Sequence, residues 1–379
     1  MPNYHRLIFD LIQKNLFKGK VIVLFGARRT GKTTLTKALL AEHGGKYVNC
    51  ELEEHVELLQ KANKVMLSDF IGNHKLIVFD EAQHIPQIGL ILKVLVDTFP
   101  HIQCVATGSS SFELANQVSE PLTGRTRQYL LLPLSLQELK QTHELTFLKS
   151  NLENYLRYGF YPQVLTESAE NKVEELMDIA SNYLYKDVLQ FETLKKPDLL
   201  QKLLQALALQ IGSEVSLNEL AQTTGTSVHT IARYLDLLEK SFVVFRLKAL
   251  SRNLRKELNK SQKVYFFDTG IRNAILRNFN PIPIRTDAGG LWENFCISER
   301  LKFNANNRRF VNTYFWRTYD QQEIDYIEEL DGTFRCFEFK LNPKAKTKIP
   351  AAFMQAYPNT TFTTISPENF YALFMDITT

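Results

Sequence analysis

Residues 26–33 have the types and the spacing that phosphate binding requires. They form Gly-x-x-x-x-Gly-Lys-Thr, whose glycines allow a turn in which successive backbone N–H groups point at one anion. Lys32 can then reach the β- and γ-phosphates of a nucleotide, and Thr33 can hold Mg²⁺. A chance glycine turn carrying an exposed lysine is the alternative. The residues predicted to contact ATP here are Gly26, Ala27, Arg28, Arg29, Thr30, Gly31, Lys32, Thr33 and Thr34.

Two acids, Asp80 and Glu81, directly follow the apolar run Leu76-Ile-Val-Phe. This is a Walker B pattern, because ligands of open α/β sheets bind at the carboxyl ends of buried strands. Asp80 is expected to ligate Mg²⁺ directly or through water. Glu81 is suited to polarise the attacking water, so Glu81 and Lys32 are candidate catalytic residues. A solvated helix start before Pro86 is the alternative.

Hydroxyl residues follow a third apolar run, from His101 to Ala106. In ATPases with an extra strand between the two Walker strands, a polar residue at the end of that strand senses the γ-phosphate. Thr107 and Ser109 are the candidates for this role, and Thr107 is the one predicted to contact the nucleotide. The alternative is a Gly-Ser-Ser turn that caps a helix.

Four charged residues near the C-terminus suggest a second site. Asp325 lies in one predicted strand, and alternation places Glu338 and Lys340 on one face of the next strand, after the turn Asp331-Gly332. With Glu293 on an upstream helix, this arrangement resembles PD-(D/E)xK nucleases. Asp325, Glu338 and Glu293 would then hold Mg²⁺, and Lys340 would orient or activate water. A charged strand face used for salt bridges or DNA binding without catalysis is the alternative.

The elements around the first site favour an α/β fold with a central parallel sheet. The apolar run Val21 to Phe25 predicts a buried strand before the glycine turn, and an amphipathic helix follows from Thr34. The N-terminus of that helix would face the anion. Lys46 to Cys50 predicts a further strand.

The middle of the chain predicts a winged helix. Two helical segments surround Gly225, with Ser216 and Glu219 as a capping box, and Phe242 to Leu247 predicts a strand of the wing. The second helix would expose Thr226, Ser227, His229, Thr230 and Arg233. The basic run 246–263 contains Arg246, Lys248, Arg252, Arg255, Lys256, Lys260 and Lys263. DNA is the predicted partner of these two groups, and docking to other protein surfaces is the alternative.

Composition sets broad limits on the kind of protein. The chain has 379 residues, enough for two or three domains, and a formal net charge of +4, which permits nucleic-acid binding without requiring it. Its four cysteines have no Cys-x-x-Cys pairing, so we expect neither a zinc site nor a disulfide framework, and a cytoplasmic location. No apolar run approaches the ~18 residues of a membrane span, and no signal-peptide core is evident.

The motifs together resemble a known group. Residues 26–35, 78–83 and 106–111, followed by Leu122-Thr-Gly-Arg, 132–139, 158–162 and 183–189, are similar to prokaryotic AAA-type ATPases of the archaeal and STAND-related branch. The resemblance implies ATP hydrolysis with an arginine near the nucleotide. Arg125 is the candidate and Arg127 the second choice, acting in cis or in trans; a surface arginine is the alternative. The resemblance also implies a C-terminal domain with a nuclease-like fold.

We therefore expect an AAA-type P-loop ATPase domain with a helical subdomain at residues 1–190, a winged helix at 191–284 and a PD-(D/E)xK nuclease-like domain at 285–379. The expected function is ATP binding and hydrolysis by a DNA-associated protein, in which nucleotide state repositions the C-terminal domains. A STAND-type nucleotide-switched interaction module and an ATP-gated, metal-dependent nuclease are the alternatives. A homo-oligomer is expected if the arginine comes from a neighbour.

Overall fold

The computed structural model describes residues 4–61, 63–109, 114, 118, 120–183, 196–251, 262–318 and 320–375. The chain forms two compact units. The N-terminal unit contains residues 5–133 and 240–242, and the C-terminal unit contains residues 1–4, 134–239 and 243–379. Most of the predicted basic run, Arg252 to Lys260, and residues 184–189 of the resemblance lie outside the described residues.

A parallel sheet forms the centre of the N-terminal unit, as the sequence predicts. Its strands stand in the order β2-β3-β4-β1-β5, and every neighbouring pair is parallel. The strands are β1 (Val21–Phe25), β2 (Lys46–Asn49), β3 (Leu76–Asp80), β4 (Gln103–Gly108) and β5 (Thr126–Leu130). The helices are α1 (Leu7–Gln13), α2 (Lys32–His43), α3 (Glu53–Gln60), α4 (Lys64–Ile71) and α5 (Ile88–Thr98).

Strand β1 shows why these segments form the middle of the sheet. All five of its residues are buried. Val21, Val23 and Phe25 pack into one apolar cluster with residues of α4 and α5, whereas Ile22 and Leu24 pack into another with α1 and α2. A continuous apolar run is therefore required, because both faces of the sheet are covered by helices.

The strand order brings the predicted site residues to one edge of the sheet. Strand β4 lies between β1 and β3, so it is the extra strand between the two Walker strands. Because all the strands are parallel, their carboxyl ends share an edge. The glycine turn follows β1 there, Asp80 ends β3, and Thr107 stands at the penultimate position of β4.

The C-terminal unit combines helices with a seven-stranded mixed sheet in the order β12-β11-β10-β9-β7-β8-β6. The strands are β6 (Glu214–Val215), β7 (Val244–Ala249), β8 (Gln262–Phe266), β9 (Asn312–Arg317), β10 (Glu323–Leu330), β11 (Thr333–Phe339) and β12 (Thr360–Ile365). The helices are α6 (Leu136–Leu139), α7 (Leu145–Ser150), α8 (Leu152–Tyr158), α9 (Pro162–Thr166), α10 (Asn171–Asp178), α11 (Pro197–Leu209), α12 (Leu217–Thr224), α13 (Val228–Lys240), α14 (Thr269–Leu276), α15 (Ala288–Asn306) and α16 (Ala351–Ala356).

Helix α15 lies in the core of this unit. Trp292 and Phe295 are fully buried and stack on each other with ring centroids 5.4 Å apart. Its charged residues are buried as well and find partners: Arg300 binds Glu328, and Lys302 binds Glu299. A helix that is buried on every side shows no amphipathic pattern, so the sequence predicts the helix without showing that it is central.

The predicted helix pair around Gly225 is present as α12 and α13. Gly225 has a φ of +70°, the left-handed conformation that a glycine adopts without strain, and the Ser216 side chain accepts a hydrogen bond from the Glu219 N–H at the start of α12. Strands β7 and β8 follow as an antiparallel pair. The identification of this segment as a winged helix stays a prediction.

The compact units divide the chain differently from the three predicted domains. The boundary between the units lies at residues 133 and 134, not near residue 190. Strand β7, from the predicted winged helix, pairs in parallel with β9, from the predicted nuclease-like domain, through Lys248 with Tyr314 and Ala249 with Phe315. Both predicted C-terminal domains therefore contribute strands to one sheet.

Candidate functional site

The glycine turn after β1 has the backbone that a phosphate cradle needs. Gly31 has a φ of +100° and immediately precedes α2, so the first N–H groups of this helix face the turn. A Cβ on Gly26 would lie 2.2 Å from the Leu131 carbonyl oxygen, so only glycine fits there. Arg6 donates to the carbonyl oxygens of Thr30 and Leu132 at 2.7 and 2.6 Å, which secures the far side of the turn.

Lys32 lies within the turn. Its side chain is 4 % exposed, and its Nζ donates to the carbonyl oxygens of Gly26 and Ala27 at 2.8 and 3.1 Å. The same Nζ lies 3.7 Å from Glu81 Oε1. The ammonium group is therefore held by the carbonyl oxygens of the loop. A bound phosphate would replace these carbonyl oxygens as its partner.

Asp80 is the centre of a hydroxyl network at the end of β3. Its Oδ2 accepts hydrogen bonds from Thr33 Oγ1 at 2.8 Å and from the Tyr47 hydroxyl at 2.5 Å, and its Oδ1 accepts one from Thr107 Oγ1 at 2.6 Å. Asp80 is 5 % exposed. A carboxylate beside a threonine hydroxyl is an oxygen donor set that suits Mg²⁺, so the residues present fit this ion.

Glu81 is fixed by its backbone and by a neighbouring amide. Its φ of +52° is unusual for a non-glycine residue, its N–H donates to Thr107 Oγ1 at 3.0 Å, and its Oε2 accepts from Gln83 Nε2 at 2.7 Å. Burial raises the pKa of Glu81, but the charge of Lys32 and the Gln83 hydrogen bond outweigh burial and hold that pKa below its ordinary value. Glu81 is therefore ionised near neutral pH.

Sequence reasoning missed three residues that shape this site. Tyr47 lies in the predicted strand β2, beside β3, and Gln83 follows the two acids by two residues. Arg6 lies just before α1. Tyr47 could have been found from the sequence, because it places an aromatic hydroxyl on the strand next to Asp80. Arg6 could not, because its contacts with Thr30 and Leu132 are remote in sequence.

Arg125 does not lie near the glycine turn of its own chain, contrary to a role in cis. It precedes Thr126, which pairs with Val21 at the start of β1, while the turn follows Phe25 at the end. Four residues of strand separate the two edges by ~13 Å. Arg125 instead donates to Asp97 at 2.8 Å, and Arg127 donates to the side chain of Asn15. A role of Arg125 in trans stays a prediction.

The predicted C-terminal site residues do lie close together, but with partners that the sequence did not reveal. Lys340 Nζ lies 2.7 Å from Glu338 Oε1, and Asp325 Oδ2 accepts the Phe339 N–H at 2.7 Å. Glu293 Oε1 accepts hydrogen bonds from Lys263 Nζ at 3.0 Å and from the Tyr265 hydroxyl. Burial, together with the negative charges of Glu293 and Glu338, raises the pKa of Asp325 well above its ordinary value.

The metal site of this region stays a prediction, whereas one member of the basic run is corrected. Within the described residues, no group of three or more His, Cys, Asp or Glu side chains is arranged to hold a metal ion, and the roles expected for Glu293, Asp325 and Glu338 remain predictions. Lys263 is 2 % exposed and bound to acids, and it is therefore not available to DNA phosphates.

Arg246, another member of the predicted basic run, is also engaged. Its guanidinium bonds to Asp236 at 2.7 Å and to Glu239, and both acids belong to α13. Lys248 is exposed. The described part of the basic run therefore offers less positive charge to a partner than its sequence suggests.

Comparisons with known proteins agree with the geometry of the N-terminal unit. Residues 18–140 match the family model described as an AAA domain. Residues 149–281 and 288–369 match two models described as domains of unknown function, DUF8612 and DUF4143. No helix within the described ranges is long and apolar enough to cross a membrane.

The chain is also similar to whole proteins. An uncharacterized protein of Mycobacterium tuberculosis is 28% identical over 334 residues, which cover 87% of this chain and 72% of that protein. An uncharacterized protein of Methanocaldococcus jannaschii is 27% identical over 307 residues, 68% of this chain and 63% of that protein. The solved Walker-type ATPase of Pyrococcus abyssi has a similar fold, with a TM-score of 0.51 and 16% identity over 72% of this chain and 96% of that one. The family match and the fold likeness support a P-loop ATPase domain in residues 18–140.

Proposed function

We propose that this protein binds ATP with Mg²⁺ and hydrolyses it at the edge of the N-terminal sheet. The observation that carries the proposal is the convergence of Lys32, Thr33, Asp80, Glu81 and Thr107 at the carboxyl ends of three neighbouring strands. This group supplies a phosphate-binding lysine, oxygen donors for a metal, and an ionised carboxylate.

Each residue has a role that follows from its position. The backbone N–H groups from Gly26 to Thr33 bind the phosphates, and Lys32 leaves the loop carbonyls to contact the terminal phosphate. Thr33 and Asp80 would hold Mg²⁺, which neutralises charge that develops on the phosphate oxygens. Glu81 accepts a proton from the attacking water, and Gln83 orients its carboxylate.

Phosphate release from ATP tests this assignment. Glu81→Gln keeps the side-chain shape and removes the base, so we expect hydrolysis to fall about 100-fold or more while ATP binding is retained. Lys32→Ala should weaken binding itself. Glu57→Gln, on the exposed side of α3 in the same unit, is the matched control. Hydrolysis by Glu81→Gln at the wild-type rate would contradict the proposal.

A second candidate function is DNA binding by α13. Its apolar residues Ile231 and Leu235 are fully buried, whereas Ser227, His229 and Arg233 are exposed. A polar face on the second helix of a helix pair, with the exposed Lys248 on β7, supports the predicted winged helix and its contact with phosphates.

Fluorescence anisotropy with a labelled duplex tests this second function. If α13 contacts DNA, affinity should fall linearly with the logarithm of salt concentration, and the double substitution His229→Ala with Arg233→Ala should weaken binding about tenfold or more. Lys61→Ala, an exposed lysine of the N-terminal unit, is the control. Binding that is unchanged by the double substitution would exclude α13 as the contact surface.

A further inference from the structure

The acidic cluster of the C-terminal unit already contains a cation that belongs to the chain. Lys263, on β8, is 2 % exposed, and its Nζ lies 3.0 Å from Glu293 Oε1 on α15 and 2.5 Å from Glu323 Oε1 on β10. A lysine amine is ordinarily protonated at neutral pH, and two carboxylate oxygens at these distances favour its charged form.

Each carboxylate that a nuclease would use for a metal has one oxygen engaged by another partner, although Glu338 Oε2 is buried without a hydrogen bond. Glu293 Oε1 is shared by Lys263 and the Tyr265 hydroxyl, Asp325 Oδ2 accepts a backbone N–H, and Glu338 Oε1 pairs with Lys340. A divalent ion bound at Glu293 Oε1 would displace a buried ammonium group from that oxygen. Such a displacement leaves an unpaired charge in the interior, which is strongly unfavourable.

We propose that Lys263 takes the place of the metal ion in this nuclease-like arrangement, so that the cluster is a metal-free ionic link and not a metal-dependent cleavage site. The lysine comes from the region predicted as the winged helix, whereas Glu293 and Glu323 come from the region predicted as the nuclease-like domain. The link therefore ties β8 to α15 and β10 across a boundary predicted between domains. It is independent of the nucleotide site, and neither proposal requires the other.

Metal binding by the folded full-length protein tests the proposal directly. Mn²⁺ is titrated without nucleotide, and bound ion is measured by electron paramagnetic resonance, with Asp80→Asn in every sample to remove the N-terminal site. We expect Asp325→Asn to leave Mn²⁺ binding unchanged, and plasmid to stay intact with Mg²⁺ or Mn²⁺. A bound Mn²⁺, or plasmid nicking, that is lost in Asp325→Asn would overturn the proposal.

A thermodynamic cycle tests the link itself. Lys263→Gln should lower the midpoint of thermal unfolding by several degrees, because it leaves the partly buried Glu293 without its cation. In Lys263→Gln with Glu293→Gln, the loss should be smaller than the sum of the two single losses. Lys340→Gln, whose side chain is 38% exposed beside Glu338, is the matched control and should cost less. The link would be overturned if the decreases in the unfolding midpoint were additive. It would also be overturned if Lys340→Gln lowered the midpoint as much as Lys263→Gln does.

Discussion

The Thr33 hydroxyl donates a hydrogen bond of 2.8 Å to Asp80 Oδ2, although the two residues lie 47 positions apart. This bond joins the start of α2 to the end of β3. It places a hydroxyl and a carboxylate oxygen side by side, which is the pair that a Mg²⁺ ion on a bound nucleotide requires.

Thr107 connects the two acids of the site, so its hydroxyl should matter more than its size. Thr107→Val removes the bond to Asp80 Oδ1 and the acceptor for the Glu81 N–H. We expect the rate constant for ATP hydrolysis to fall about 10-fold to 100-fold with little change in ATP affinity, since each lost bond is worth ~1 kcal/mol or more to a charged group. Thr107→Ser should restore most of the rate. Equal rates for Val and Ser would show that the hydroxyl has no role.

The Tyr47 hydroxyl binds the same Asp80 oxygen as Thr33 does, and it therefore competes with a metal for that oxygen. Tyr47→Phe should lower the Mg²⁺ concentration at half-maximal hydrolysis about tenfold or more, because a hydrogen bond to a charged carboxylate is worth ~1.5–3 kcal/mol. Tyr129→Phe is the control, since the Tyr129 hydroxyl, on β5, donates to the carbonyl oxygen of Leu11 on α1 and not to Asp80. An unchanged magnesium dependence in Tyr47→Phe would contradict the competition.

Gly26 should not tolerate a side chain. Gly26→Ala places a methyl group 2.2 Å from the Leu131 carbonyl oxygen, and a backbone atom cannot move away cheaply. We expect a loss of ~1–3 kcal/mol in the free energy of unfolding, measured in denaturant. Gly289→Ala, on α15, is the control: its methyl group would point into open space, so the free energy of unfolding should be unchanged or slightly higher. Equal effects of the two substitutions would contradict this reading of Gly26.

Asp325 should make the protein less stable as pH rises. Its pKa in the folded state is raised, mainly by burial and then by Glu293 and Glu338, so the folded state holds a proton that the unfolded state has released. Its unfavourable contribution begins above the unfolded pKa of ~3.9 and grows until the folded pKa is passed. Asp325→Asn should therefore be more stable than wild type at pH 7, with the difference shrinking toward pH 4 in thermal unfolding. A difference that is independent of pH would show that the carboxyl does not titrate as described.

We predict that Arg125 acts on a nucleotide that is bound by another copy of the chain. If it does, Arg125→Ala should lower hydrolysis about 1000-fold or more while ATP binding is kept, and the wild-type rate per subunit should rise with protein concentration. Mixing Arg125→Ala with Glu81→Gln should then recover activity, because each subunit supplies what the other lacks. A rate that is independent of concentration and insensitive to Arg125→Ala would leave the Asp97 ion pair as the only role of this residue.

The sequence could bring the residues of the proposed nucleotide site together because they follow strands directly. Val21 to Phe25 and Leu76 to Phe79 are uninterrupted apolar runs, and the residues after a parallel strand must lie at the same edge of the sheet. Thr107 could be placed for the same reason. The sequence could not show that Arg125 begins its strand at the opposite edge, because strand direction and register depend on pairing with β1.

The C-terminal cluster was predicted in its members but not in its chemistry. Glu338 lies on β11 and Lys340 directly follows its last residue, Phe339, so their spacing is local and can be read from the sequence. Lys263 lies 30 residues before Glu293 and 60 before Glu323, on a strand that no local pattern assigns to the same sheet. Its positive charge seemed to belong to a DNA-binding surface, and only the long-range pairing of β7 with β9 explains why it is buried.

The parallel pairing of β7 with β9 also limits how this chain can be divided. The family models separate at residues 281 and 288, yet a cut there would leave the edges of both strands with unsatisfied backbone groups. Fragments made at that boundary should aggregate or recombine instead of behaving as independent modules. If relatives exchanged the segment at residues 288–369, by evolution or by engineering, they would have to exchange strand β7 and its neighbours together with it.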